Sequence, residues 1–161
     1  MNAVSQWWIG GLRNGIPDRT YRIGYANSDD GISWHRQNPG QKIIPVLSEN
    51  EAQAMPSVMQ IDESLFLMCF CYRDTFNFRT GGLTSYRLGG AVSTDLRNWE
   101  RVDEVFEMSF PEWASEMQCY PNLLKLEEKA VLFFNGNSFG KFGFGYSTIS
   151  LKELAIVAKL R

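Results

Sequence analysis

From Leu65 to Tyr72 the chain runs through eight consecutive apolar or aromatic residues, Leu-Phe-Leu-Met-Cys-Phe-Cys-Tyr. The polar turn Asp62-Glu-Ser64 bounds the run on its N-terminal side. That length and aromatic content predict a strand covered on both faces rather than a helix. The alternation of strand and turn continues on either side. Pro56 to Ile61 reads as a short first strand, and a Gly81-Gly82 loop follows the apolar run. Ser85 to Ser93 reads as a third strand, and the polar turn Asp95-Leu-Arg-Asn98 precedes a fourth, opened by Trp99-Glu-Arg-Val102.

The module recurs. Tyr21-Arg-Ile-Gly-Tyr-Ala-Asn-Ser-Asp-Asp-Gly-Ile-Ser-Trp34 returns without a gap as Tyr86-Arg-Leu-Gly-Gly-Ala-Val-Ser-Thr-Asp-Leu-Arg-Asn-Trp99, identical at seven of fourteen positions. A looser third copy begins at Phe142-Gly-Phe-Gly-Tyr-Ser147. Repetition at a period of several tens of residues predicts an array of similar β units, and four antiparallel strands per unit is the design of a propeller blade. The expected fold is all-β, with about three four-stranded antiparallel blades in a single partial propeller domain over residues 1–161. Its units fall near 6–45, 50–108 and 114–161.

The flanking units are incomplete. Gln6-Trp-Trp-Ile-Gly-Gly11 corresponds to a second strand, so the first unit lacks its first. The last unit has Tyr120 to Leu126, Ala130 to Asn135 and Lys141 to Thr148. Its final stretch, Leu151 to Leu160, is open between a strand, as the middle unit has there, and a helix started by a Ser150/Glu153 capping box. Gly24, Gly89 and Gly145 are expected to admit a neighbouring backbone, and Trp34 and Trp99 to seal one unit against the next.

With 44% hydrophobic and 14% aromatic residues in 161, the chain is globular rather than disordered. A net charge of −2 gives no reason to expect nucleic acid or an anionic membrane surface as partner. No stretch approaches the roughly 18 apolar residues of a membrane span. The first eleven residues have no basic segment followed by a long apolar one, so no signal peptide is expected. Cys69, Cys71 and Cys119 make an odd count, two of them on one face of one strand, and are expected as buried free thiols in a reducing cytoplasm.

Elimination narrows the chemistry. The single histidine, His35, reads as a solvated turn residue, which removes a Ser-His-Asp site. The cysteines lack the paired spacing of a zinc site, and no phosphate loop or dinucleotide fingerprint is present, so neither metal nor cofactor is expected. Carboxylates remain, and glycoside cleavage needs two of them. Asp74, beside Arg73 at the end of the apolar run, and Glu116, ahead of the last unit's first strand, are the catalytic candidates. Arg73 could hold a substrate carboxylate or hydroxyl. Glu51 stands before Pro56 much as Glu116 stands before Pro121. For each carboxylate the alternative is a solvated loop position. Asn135-Gly-Asn-Ser-Phe-Gly140 adds Asn135, Asn137 and Phe139 as candidate sugar ligands, with Tyr120 nearby in sequence, because sugars are held by rings, amides and charged forks together. The alternative is that Asn135-Gly136 only makes a tight turn.

The first repeat, the stretch Met117-Gln-Cys-Tyr-Pro121 and Phe134-Asn-Gly-Asn-Ser-Phe-Gly140 with Gly143-Phe-Gly145 together resemble the glycosyl hydrolase family 32/43-like five-bladed β-propeller proteins. The nearest resemblance is to an uncharacterised subset linked to bacterial surface-polysaccharide gene clusters, and it covers about Trp7 to Tyr146, as a C-terminal portion. It implies carbohydrate as partner and a mechanism with two aspartates and an acidic glutamate. Glu116 is similar to the invertase-type Glu-Cys-Pro glutamate, with a longer spacing to proline, and Arg73-Asp74 to that group's Arg-Asp pair, placed after a second strand. Five blades are implied where fewer than three are present. The uncovered blade faces are then expected to self-associate. The functional alternatives are a non-catalytic carbohydrate-binding or scaffold module and a truncated gene product.

Overall fold

The computed structural model describes residues 2–13, 16–37, 41–79 and 81–159, with the backbone alone described at 2–13, 16–19 and 157–159. It is all-β. Three antiparallel sheets follow one another along the chain. The first joins β1 (Asn2–Arg13), β2 (Ile16–Asn27) and β3 (His35–Arg36). The middle one joins β4 (Glu51–Gln60), β5 (Phe66–Asp74), β6 (Arg87–Ser93) and β7 (Glu100–Arg101). The third joins β8 (Cys119–Leu126), β9 (Lys129–Asn135) and β10 (Phe144–Ser150). Neighbours in sequence are neighbours in each sheet, so every connection is a simple turn or loop.

Among the described residues the middle unit has four strands and each flanking unit three. In the third, the position after β10 is taken by the helix Leu151–Lys159. Leu151 and Leu154, spaced for one helical face, are buried in the core, and the Leu151 N–H is held by the Glu128 carbonyl at 3.0 Å. This resolves the ambiguity of that stretch, although Leu160 lies outside the described residues.

β5 explains how the sheets stack. Its residues alternate, as a strand requires. Leu67 and Cys69 face the third sheet, packing with Leu123, Ala130, Leu132 and Phe134. Met68 and Phe70 face the first, packing with Ile23 and Ile44. The unbroken apolar run is therefore apolar because both its faces are covered.

The repeated turns close the same way. Asp30 Oδ1 accepts the Ile32 and Ser33 N–H groups at 2.8 and 2.7 Å, and Asp95 Oδ1 accepts those of Arg97 and Asn98 at 2.8 Å each. These donors favour the carboxylate form. They hold Asp30 far below the usual range and Asp95 down at about 2. Each tryptophan Nε1 then donates back to the carbonyl of the left-handed residue, Trp34 to Gly31 and Trp99 to Leu96.

Two packing expectations are corrected. Trp99 is 5% exposed beneath Ile23 and Ile44, whereas Trp34 is 44% exposed. Cover comes from the preceding sheet, and among the described residues no sheet precedes the first. The third-strand glycines make room for side chains more than backbone. A Cβ at Gly89 would meet the Phe70 ring at 2.7 Å, and one at Gly145 would collide with the Trp113 ring. The three cysteines are free and buried, and burial pushes the Cys71 and Cys119 thiols up to about 12.

Candidate functional site

The N-terminal part of β4 and the segment that runs into β8 are a second internal repeat, Glu51-Ala-Gln-Ala-Met-Pro56 and Glu116-Met-Gln-Cys-Tyr-Pro121. An arginine from the preceding sheet donates to the glutamate carbonyl in each: Arg22 to Glu51 and Arg87 to Glu116. Each glutamine donates to the carbonyl of a residue upstream, Gln53 to Pro45 and Gln118 to Ala114. Met55 and Tyr120 both take φ 54°, and each strand has a register shift there. The backbone device is the same, but the two carboxylates are used differently.

Glu51 is 3% exposed and fully engaged. Its oxygens accept from the Leu47 N–H at 3.0 Å, Gln53 Nε2 at 2.9 Å and Arg101 Nη1 at 2.7 Å. Arg101 also binds Asp103 Oδ2 at 2.7 Å, and burial pushes Asp103 up more than that arginine pulls it down. Far from a loop position, Glu51 opens a strand and serves as a structural anchor. Glu116, by contrast, has an exposed side chain on a pinned backbone. Asn137 Oδ1 accepts the Glu116 and Met117 N–H groups at 2.9 and 3.0 Å, and Asn137 Nδ2 donates to the Glu112 carbonyl at 2.9 Å. A Cβ added at Gly81 would stand 2.8 Å from Glu116 Oε2, so the Gly81-Gly82 loop runs directly past the carboxylate.

Arg73 stands near the end of β5 and is 4% exposed. Its Nε donates to Tyr86 Oη at 3.0 Å and its Nη1 to the Asp74 carbonyl at 2.8 Å. The guanidinium lies 3.7 Å from the centre of the Phe78 ring, with Tyr21 and Tyr86 also against it. Phe139 meets Tyr86 edge-on at 5.9 Å, and Arg79 lies over both Phe78 and Phe139. Burial pushes Tyr86 up, and Tyr120 as well. On the other side of Arg73 is a cleft of about 150 Å³ floored by Glu51, Tyr72, Arg73, Asp74 and Ser85, with Leu47, Ser48 and Leu83 around its mouth.

The predicted residues therefore gather at one end of the middle and third sheets, in two groups. Asp74, Arg73 and Glu51 share the cleft, while Glu116 is not part of its lining. Glu116, Asn137 and Phe139 form the other group, with Asn135 Nδ2 donating to the Phe139 carbonyl at 3.3 Å. Tyr120 is 44% exposed at the bulge of β8. The Asn137 amide is turned onto backbone, so its demonstrated contribution is to position Glu116. Sequence reasoning missed Ser85, Tyr86 and Tyr21. For the two tyrosines the signal was their place at the head of the fourteen-residue repeat; for Ser85 there was none. Among the described residues no group of three or more His, Cys, Asp or Glu could hold a metal.

No protein-family model matches the chain. Two uncharacterized Mycobacterium tuberculosis proteins, MT1551 and Rv1502, are each 29% identical over 147 residues, which is 88% of this chain and 46% of theirs. The chain thus spans about half the length of these curated relatives. Among solved structures it is similar to a glycoside hydrolase (TM-score 0.61, 16% identity, 90% of this chain and 40% of that one). It is also similar to a Bombyx mori GH32 beta-fructofuranosidase in complex with sucrose (TM-score 0.60, 15% identity, 92% and 31%). A third likeness is to a BT0996 RGII complex (TM-score 0.58, 16% identity, 90% and 40%). At such identities the likeness is one of fold: three consecutive sheets arranged as in part of a glycoside hydrolase.

Proposed function

We propose that the chain is the carbohydrate-engaging part of a glycoside hydrolase-like, five-bladed β-propeller. In this reading the three sheets are consecutive blades, and glycan binds where the ends of β5 and β8 meet the loops carrying Phe78 and Phe139. Hydrolysis requires a further carboxylate from outside the chain, brought by the rest of a ring. Association through the uncovered faces of the first and third sheets is one way to complete it, and the exposed Phe144 and Tyr146 on β10 suit that role. The buried free thiols fit a reducing compartment, the cytoplasm.

Glu116 carries this reading. Of two glutamates delivered by the same backbone device, it alone keeps its carboxylate for solvent, beside the Gly81-Gly82 loop and with its backbone held by Asn137 and Arg87. Rings and hydrogen-bonding forks side by side are what a sugar needs for its apolar faces and hydroxyls. Asp74 is the second carboxylate on the same face. The non-catalytic alternative, a binding or scaffold module, is favoured by one observation: the two candidate carboxylates do not share a cleft, Asp74 lining one that Glu116 does not. A truncated gene product is the remaining alternative, and nothing in the geometry favours it.

The test is a panel of oligosaccharides assayed for binding by calorimetry and for cleavage by reducing-end release. An enzyme loses at least about 100-fold in cleavage in Glu116→Gln or Asp74→Asn while binding persists. A binding module shows affinity without cleavage. Absence of both across the panel sinks the carbohydrate reading. Ring completion by self-association fails if light scattering finds a stable monomer at all concentrations.

A further inference from the structure

We infer that the outer face of the third sheet docks head to tail onto the Trp34 side of the first sheet in a second copy of this chain. This rests on the reading of the three sheets as consecutive blades and adds which face meets which. The joint between the first and middle sheets is the template. In it Ile23 packs in one cluster with Met68, Phe70 and Trp99, and the Arg97 guanidinium lies over the Tyr25 ring at 5.5 Å. Ile23 and Tyr25 are 0% and 3% exposed. One half of the joint is thus the strand carrying Ile23 and Tyr25. The other is the turn carrying Arg97 and Trp99.

Each half recurs at an end of the chain, and there its side chains are exposed. In the looser third copy of the repeat, Phe144 and Tyr146 take the places of Ile23 and Tyr25, and they are 71% and 69% exposed. A Cβ at Gly145, between them, would collide with the Trp113 ring, and Ile149 packs into the core shared with the middle sheet. Alternation therefore turns Phe144 and Tyr146 the other way. Leu124 and Phe133 alternate with the core residues Leu123 and Leu132 and carry the apolar face across β8 and β9, the Phe133 and Tyr146 rings being 6.2 Å apart. In the first copy of the repeat, Trp34 stands for Trp99 and Ile32 for Arg97, at 44% and 85% exposure. Apolar surface of this kind is what a protein interface covers. The two faces are unlike halves of one joint, so the contact is heterologous, Phe144 against Trp34 and Tyr146 against Ile32. A symmetric contact between two β10 faces would leave Ile32 and Trp34 bare. Each copy offers one face of each kind, and the rotation between copies decides whether two close or more add on.

Light scattering of the full chain is expected to show mass rising above the monomer with concentration. Phe144→Asp, Tyr146→Asp and Ile32→Asp should each weaken association at least about 10-fold. Ile32→Asp puts a polar residue where the other copy already holds Arg97, and circular dichroism checks that every variant folds. The decisive arm mixes Phe144→Asp with Ile32→Asp; Tyr146→Asp replaces the former if it does not fold. Each variant supplies the face the other has lost, so the mixture should form a one-to-one pair although neither associates alone. Parental association by Ile32→Asp on its own would mean a symmetric contact and overturn the inference. A mixture that stays monomeric would overturn it too. So would a parent chain that is monomeric at every concentration, and that result leaves the glycan titrations untouched. An associating chain that binds no saccharide loses the carbohydrate reading and keeps this joint.

Discussion

The approaches to the middle and third sheets, Glu51–Pro56 and Glu116–Pro121, share an arginine clamp on the glutamate carbonyl, a glutamine tied to an upstream carbonyl, a left-handed residue and a bulge. They diverge in what surrounds the glutamate side chain. In the middle sheet Arg101 reaches across Phe70 and Tyr72 to take the Glu51 carboxylate. The third sheet has a helix where the middle one has β7, the strand that carries Arg101, and Glu116 stays open. Main-chain geometry was kept through the repetition, while the side chain was released from structural duty in one copy. A repeat thus separates an anchor from a candidate working group without any knowledge of the reaction.

The sharpest way to break this contrast is Arg101→Ala. It strands Glu51 and Asp103 in the interior, so unfolding should become easier by about 3–5 kcal/mol, read as a lower urea midpoint at unchanged slope. A loss under about 1 kcal/mol would mean that Glu51 is not an anchor. Next comes Gly81→Ala. Gly81 has φ 80° and ψ −169°, a region reserved for glycine, and its new Cβ would press on Glu116. A cost of about 1–3 kcal/mol is expected, together with altered glycan binding.

Smaller still are Met55→Gly and Tyr120→Gly. Relief of left-handed strain, about 1–2 kcal/mol, is offset by about 0.4–1 kcal/mol of chain entropy. The two should shift stability alike, and only Tyr120→Gly should weaken glycan binding; an equal effect on binding at both would remove Tyr120 from the site. Cys119 stands where the middle approach has Ala54. Because Cys71 and Cys119 are raised to about 12 in the fold, their contribution to stability is complete below the ordinary thiol range. It is lost as pH climbs from about 8.5 towards the folded value. A thiol reagent at pH 8 should therefore label them only on unfolding. Smallest of all on stability is Glu116→Gln, within about 0.5 kcal/mol of the parent while affecting whatever the site does.

The sheets were readable because their signals are local. β5 declares itself by an unbroken apolar run, and both tight turns by a serine, aspartate and tryptophan at fixed spacing. Trp34 and Trp99 are indistinguishable on that basis, since their difference lies in a neighbouring sheet. Leu96 sits in the left-handed conformation that Gly31 takes in the other copy, a preference overridden by the hydrogen bonds Asp95 collects. At the site, Asp74, Arg73, Glu116 and Glu51 were all singled out by residue type, because a carboxylate looks the same in sequence whether solvated or, as at Glu51, held by hydrogen bonds. Ser85 left no trace, because a buried hydroxyl without a partner among the described residues is a fact about everything around it.

The two aspartate-closed turns complete their hydrogen bonding within seven residues, Ser28 to Trp34 and Ser93 to Trp99. Contacts that short close in well under a microsecond, against microseconds for a hairpin. Each can therefore set the alignment of its flanking strands before any two sheets have met, so assembly begins with local folding inside single units and only later becomes a search between them.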